Sequence, residues 1–411
     1  RPEVPYDPTT NPVVGVLLRR SANGNGAFSL SAVQLNWNYG ATGISYNDIT
    51  AVQVYAVEMV YVNQGAFAAG GVGTETGKFT LTTINTGDAS LAASGIGSLG
   101  GQAGGYPTGA PYPGTSLFPN GYNPFYCMKY EISSQQYVEF LNTLTYSQQA
   151  GRTATAPSSA AGTGALLSSN ANRSVIDIQT PGIVASTTPA VYAVNANGNT
   201  TYGEADDGQG LACHPMNLQD VLGYLAWSGL RPMTELEFEK VCRGPLPAAP
   251  NEFPWGTAAI GSAHFSGPTG MGTVNEVPNT GYSPTAGNAV YFSTAEDIAG
   301  PMRVGAMAGA AGNTGRVTAG AGYYGAMDLG GNVREGTVDV SNQVYYGYHG
   351  TGALLSDGAA DMDYWPQVNN FHARGGGYYS DVNVLRTATR STVDYTSRVL
   401  ENGGRGVRTA P

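Results

Sequence analysis

Charge is scarce in this chain. Only 12% of its 411 residues are Asp, Glu, Lys or Arg, about half the usual ~25%. The charge that is present is mostly acidic, giving a net −10 at pH 7, so a phosphate backbone would be repelled and nucleic acid is excluded as a partner. Apolar runs are short. None approaches the ~18 residues of a membrane-spanning helix. Cysteine is nearly absent too: Cys127, Cys213 and Cys242 are three in number, cannot all pair, and form no CxxC. Cys127 and Cys242 lie among apolar neighbours, which predicts inert buried thiols, although one disulfide among the three is an alternative. Histidine is limited to His214, His264, His349 and His372, with no pair at helical spacing to hold a metal.

What replaces charge is glycine and small polar residues. Glycine makes up 59 of 411 residues, twice the ~7% average, and there are 26 tyrosines. Low charge, acidity and abundant Gly, Thr and Tyr give the expectation of a secreted or cell-surface protein. A first residue of Arg1 rather than Met adds the expectation of a removed signal peptide. Residues 1–14, with four prolines, read as an extended arm. Residues 15–55 read as a small β-rich module: "VVGVLLRR", "AFSLSAVQLNW" and "ITAVQVYAVEMVYV" are β-branched or alternating, and "SANGNG" and "NYGATG" supply turns. The stretches near 89–116 and 150–172 are Gly, Ala, Ser, Thr, Pro and Asn, too poor in apolar residues to build a core. "GIGSLG" in the first is a formal GxGxxG, but it lacks the strand before and the helix after that a dinucleotide site requires, so it reads as a loop.

Three helices announce themselves by their caps. Ser133 and Gln136 form a capping box ahead of the Tyr137, Leu141 and Leu144 stripe. Asn217 caps "LQDVLGYLAWSGL", with Val221, Leu222, Leu225 and Ala226 inward and Gly229 as its stop. Thr234 and Glu237 box the start of "ELEFEKVCRGP", whose Phe238, Val241 and Cys242 face inward. The remaining side of that helix, Glu235 and Glu239 included, is expected to be solvated. Beyond residue 250 the pattern becomes irregular.

The order of the segments "HPMNLQDVLGYLAWSGLRPMTELEFEKVCRGP", "EFPWGT", "GAMDLGGNVREG", "ARGGGY" and "GGRGVR" resembles the formylglycine-generating enzyme (sulfatase-modifying factor) family. The resemblance covers residues 56–411. It implies an α+β fold, a variant of the C-type lectin fold with much irregular structure. The long blocks resemble secreted bacterial members. In the oxidase branch two cysteines after the Gly-Gly motif bind copper. The matching positions here are Ser380 and Leu385, neither of which supplies the soft thiolate that Cu(I) requires. The iron-dependent relatives use a separate histidine-bearing domain that this chain lacks, so neither copper nor iron is expected. The usual Trp-Glu-Trp stands as Arg334-Glu335-Gly336, and the final Gly-Phe-Arg as Gly403-Gly404-Arg405. Both changes leave aromatic volume to be filled, with the tyrosines as candidates.

The resemblance further implies a structural calcium on the "DLGGNVRE" loop, held by Asp328, the carbonyls of Gly331 and Val333, and Glu335. Two carboxylates around a glycine turn suit a hard cation. The alternative is a plain turn whose Glu335 meets a buried arginine. The arginines Arg374, Arg386, Arg390, Arg405 and Arg408 are expected to pair with carboxylates and backbone carbonyls. In lectin-fold relatives the residues after the Gly-Gly turn form a solvent-facing binding surface. Here that surface would comprise Tyr378, Tyr379, Ser380, Asp381 and Asn383, with Tyr395 and Ser397 nearby, a mixture suited to recognition. Core tyrosines replacing the missing tryptophans are the alternative. Asp361 and Asp363 read as turn residues rather than an acid–base pair, and no GxSxG elbow is present.

The expectation is therefore a non-catalytic surface protein acting through contacts: a self-assembling component, or a scaffold that binds another surface protein or a glycan. The rival is an enzyme of the same family with a different metal-dependent oxidation. An accessory component of a secretion or gliding machine is a third reading.

Overall fold

A computed structural model describes residues 2–3, 16–19, 29–87, 118–168, 171–262, 265, 267–292, 298–340, 345–366, 371–391 and 394–410. The low-complexity stretch 89–116, with its GxGxxG, lies outside the described residues. The chain divides into two units, Arg1–Glu58 and Met59–Ala410.

In the first unit, β1 (Pro2–Glu3) pairs antiparallel with β2 (Leu17–Leu18). Two 3-10 turns follow, at Tyr39–Thr42 and Tyr46–Asp48. Residues 29–58 contain no strand, so the β-rich module expected over 15–55 is not confirmed; residues 20–28 lie outside the described residues. An alternating sequence makes a stable strand only when a neighbouring edge accepts its backbone hydrogen bonds. Leu30, Leu35, Trp37, Tyr46, Val52 and Val54 are all exposed.

The second unit is α+β. Its main sheet runs β3-β6-β13-β9, formed by β3 (Met59–Val62), β6 (Phe125–Met128), β13 (Gly406–Thr409) and β9 (Arg231–Pro232). Antiparallel register sets Cys127 against both Val60 and Val407. Two separate hairpins are formed by β4 (Phe67–Ala69) with β5 (Thr82–Ile84), and by β7 (Ile176–Thr180) with β8 (Val191–Val194). A three-stranded sheet centres on β10 (Arg334–Val338), antiparallel to β11 (Phe371–Arg374) and parallel to β12 (Asn402–Gly403). No helix is long and apolar enough to cross a membrane among the described residues.

The helices are α1 (Ser134–Leu141), α2 (Tyr146–Arg152), α3 (Leu218–Trp227) and α4 (Glu235–Arg243). All three expected caps are in place: the Ser133/Gln136 and Thr234/Glu237 boxes, and Asn217, which closes its box with Asp220. Helix α2 was not expected. Its own box, Thr145 with Gln148, is a sequence signal inside a stretch otherwise dominated by small residues. The 150–172 stretch is likewise not excluded from the core: Arg152, Ala165 and Leu166 are buried. Gln149 carries much of this packing, donating to the Leu141 and Ala190 carbonyls and accepting from the Ala190 amide.

The expectation of a solvated glutamate side on α4 is also corrected. Every residue from Glu235 to Arg243 is buried. Glu235 takes Arg390 Nε and Nη2 at 2.7 and 2.9 Å. Glu239 takes Arg374 Nη2 at 2.9 Å, and Glu237 is bidentate with Arg231 at 2.9 and 2.6 Å. Burial pushes the Glu235 carboxyl pKa up, but Arg390, Arg374 and His372 outweigh it and hold it below the usual carboxylate value. The expected pairing is thus found for Arg374, Arg390, Arg405 and Arg408, but not for Arg386, whose Nη1 reaches the Thr74 hydroxyl and whose Nε has no partner among the described residues. Arg405 joins Glu335 at 2.6 Å and donates to the Met128 and Met327 carbonyls, and Arg408 donates to the Gly229 carbonyl.

The missing aromatics are replaced in two ways. Beside Gly336, a Cβ would stand 3.4 Å from the Tyr395 ring, so a tyrosine does fill that space. Beside Gly404, the neighbours are Val221 and Ile132. The three cysteines are free and buried. Desolvation pushes Cys127 up to about 12, leaving it a thiol at neutral pH.

Removing one member of a buried ion pair costs about 3–5 kcal/mol, because the other charge is left in the interior. Arg405→Met is expected to lose stability on this scale in denaturant unfolding. The double replacement Arg405→Met with Glu335→Leu should recover most of it, and a double variant no better than the single would show that the ion pair is not what holds this region.

Candidate functional site

The positions that the resemblance matches to the oxidase cysteines lie around the turn after β11. Gly375 and Gly376 both have positive φ, 77° and 68°, a region that disfavours any side chain. Space forbids one as well. A Cβ on Gly376 would lie 2.9 Å from Leu385 Cδ1 and 3.1 Å from Ser380 Cβ. The two positions that resemble the oxidase cysteines therefore flank the same glycine, and the fold brings them together as the family pattern implies.

Their chemistry differs from a metal site. Leu385 is fully buried in an apolar cluster with Phe253, Trp255, Ala289 and Tyr291. Ser380 Oγ receives the Gly377 amide at 2.9 Å and donates to Glu401 Oε1 at 3.1 Å. Arg334 Nη2 reaches the same hydroxyl at 3.3 Å and binds Glu401 Oε2 at 2.5 Å. Glu401 Oε1 also takes the Tyr379 amide at 2.7 Å. A hydroxyl already committed to a salt bridge and a buried alkyl group do not fit a copper ion. No step is derived through one.

The expected solvent-facing surface divides. Tyr378, Ser380 and Tyr395 are buried, correcting their assignment to an exposed face. Tyr378 stacks edge-on against His214, with its hydroxyl 3.3 Å from Nδ1. Tyr395 occupies the volume beside Gly336. Tyr379, Asp381, Asn383 and Ser397 remain exposed. Tyr379 donates to Asn172 Oδ1 at 2.6 Å. Asp381 caps the 3-10 turn Val382–Leu385 through the Asn383 amide. Ser397 donates to Asp394, whose carboxyl is held at about 2 by hydrogen bonds from Ser397 and Thr396. Glu401, Arg334, Asn172 and His214 complete the constellation. They lacked a sequence signal because each comes from a segment remote from the Gly-Gly turn.

The "DLGGNVRE" loop holds a second buried set. Asp328 accepts the Gly305 amide at 2.6 Å, and Glu335 Oε1 meets Arg405. Gly331 adopts φ 84°. The Val333 amide donates to Glu131 Oε1 at 2.9 Å, and Asn332 Nδ2 to its Oε2 at 2.6 Å. Of the two roles open to Glu335, the contact with a buried arginine is present, while its Oε2 is buried without a hydrogen-bond partner. Burial, then Asp328 and Glu335, push the Glu131 carboxyl well above its usual range.

A profile of the sulfatase-modifying factor enzyme 1-like domain matches residues 52–410. The chain belongs to this family. No curated protein matches. Among solved structures, a similar chain is PvdO from Pseudomonas aeruginosa, 16% identical, with 86% of this chain and 95% of that one covered at a TM-score of 0.36. At that score the likeness adds nothing to the assignment.

Desolvation lowers the His214 pKa from 6.5 to about 4. A depressed histidine contributes stability above pH 6.5 that is lost as pH falls toward 4, up to about 3 kcal/mol. His214→Gln is expected to remove this slope, read as the difference between wild-type and variant unfolding free energies from pH 7 to 4. Parallel curves would show that His214 does not titrate in this way.

Proposed function

We propose that this family member is not an oxidase and works through contacts at a cell surface or outside the cell, as a self-associating component. The observation that carries this is the pair at the Gly-Gly turn. Ser380 is locked into the Arg334–Glu401 salt bridge and Leu385 is packed into the core, so the position of the oxidase thiols offers no ligand for a redox metal. The three thiols that exist are buried elsewhere.

Exposed apolar residues in the first unit support the self-association part. Val52 and Val54, two apart, are 65% and 74% exposed, and the segment around them has the alternation of a strand but is assigned to no strand. Such a segment can add to the sheet edge of a second copy, where backbone hydrogen bonds supply affinity. The exposed Tyr379, Asp381, Asn383 and Ser397 form the display face for another surface protein or a glycan. A structural calcium on the Asp328–Glu335 loop would use Glu335 Oε2, which has no hydrogen-bond partner among the described residues, while Oε1 stays with Arg405.

Light scattering and electron imaging of the full chain test the assembly reading. Wild type is expected to form particles larger than one chain, and Val52→Asp with Val54→Asp to reduce them to monomers. Unchanged particle size in the variant would overturn it. Bound copper or iron together with oxygen consumption on thiol peptides would overturn the non-catalytic reading and favour a metal-dependent oxidation.

A further inference from the structure

The segment following β8, "NANGNTTYGEADDG" from Asn195 to Gly208, is among the most oxygen-rich in the chain. Three of its carboxylates, Glu204, Asp206 and Asp207, each place one oxygen so that all three lie within 4.8 Å of one another. No lysine, arginine or histidine pairs with any of them among the described residues. The groups turned toward them are neutral amides: Asn197 Nδ2 reaches Glu204 at 3.3 Å and Asp206 at 3.1 Å, and Asn199 Nδ2 reaches Glu204 at 2.6 Å. Three negative charges so close, without a cation, repel one another.

A second observation is independent of this clustering. Asp207 is fully buried. Its Oδ2 accepts the Glu204 amide at 2.8 Å, but Oδ1 is buried with no hydrogen-bond partner. Asn195, also buried, has its Nδ2 fixed by Asp177 and the Asn199 carbonyl, and its Oδ1 is orphaned as well. A buried charged acceptor left unpaired is costly, so the orphaned Oδ1 of Asp207, on one of the three clustered side chains, points to an absent donor of positive charge. The other carboxylate-rich cluster, Glu235 with Asp339 and His372, differs: Arg390 and Arg374 already neutralise it.

We infer that Glu204, Asp206 and Asp207 form a calcium site that ties down the loop after β8. The donors are all hard oxygens, which disfavours zinc or copper. Ligands on opposite sides of a Ca²⁺ ion at about 2.4 Å are at most about 4.8 Å apart, and an irregular loop can supply six to eight oxygens from carboxylates, carbonyls and water. Magnesium, which demands a tight octahedron and keeps its water, fits such a loop less well. The site is separate from the Asp328–Glu335 loop and does not depend on the proposal of self-association.

Terbium, which replaces calcium on oxygen ligands, provides the readout. Tyr202 lies two residues before Glu204 on the same loop, which makes it a near antenna for terbium emission. In the full-length protein, tyrosine-excited terbium emission is expected to saturate and to be reversed by calcium. Asp206→Asn, at an exposed position, should weaken calcium by about tenfold or more through loss of one ligand charge. Glu204→Gln with Asp206→Asn should remove one equivalent of bound ion by calorimetry and the calcium-dependent rise in melting temperature. Tyr202→Phe should dim the emission while leaving calcium affinity unchanged, and it guards against a carboxylate variant that fails to fold. Wild type binding no calcium would overturn the inference. So would a folded double variant with the same number of equivalents at the same affinity, or emission indifferent to Tyr202.

Discussion

The structure depends on buried arginines that meet buried carboxylates across distant parts of the chain. Arg374 and Arg390 converge on Glu235 and Glu239 of α4, Arg231 grips Glu237, and Arg405 holds Glu335. A fold with short strands and long irregular connections has few repeating ladders to satisfy its backbone. Guanidinium groups, each with five donors in a fixed fork, bind carbonyls as well as carboxylates. Arg374 does both, donating to the Thr387 and Thr389 carbonyls while paired with Glu239. In a chain with so little charge, the charges present are concentrated inside.

The Gly-Gly turn belongs to the same framework. Arg374 ends β11 and anchors it, and the two glycines then bend the chain in a backbone conformation set by sterics rather than chemistry. Around this turn the side chains take their places from the packing. A leucine joins the core, and a serine joins a salt bridge. The turn's backbone is fixed by glycines and by the buried ion pairs of Arg374, and its side chains take their roles from their surroundings.

Adjacent residues on the turn acquire opposite roles. Tyr378 is sealed against His214 while Tyr379 reaches the surface and holds Asn172. Both are tyrosines of the same Gly-Gly-Gly-Tyr-Tyr run, and composition does not separate them. The exposed face is therefore narrower than the sequence alone suggests, centred on Tyr379, Asp381 and Asn383.

What the sequence determined by itself was local or sequential. Helix starts at Ser133, Asn217 and Thr234 were readable because a cap and its partner lie three residues apart, and the ordered motifs identified the family. The missing thiols at Ser380 and Leu385 were equally plain. Only the tertiary structure decided which charges are buried, because Glu239 and Arg374 lie 135 residues apart and Glu235 and Arg390 lie 155 apart. It also decided that residues 29–58 form no strand, since a strand is a property of two segments and an alternating pattern describes one. The carboxylates of Glu204, Asp206 and Asp207 converge for the same kind of reason: three turns at positive-φ glycines, Gly198, Gly203 and Gly208, fold the loop on itself, and only then do neighbouring charges share one small volume.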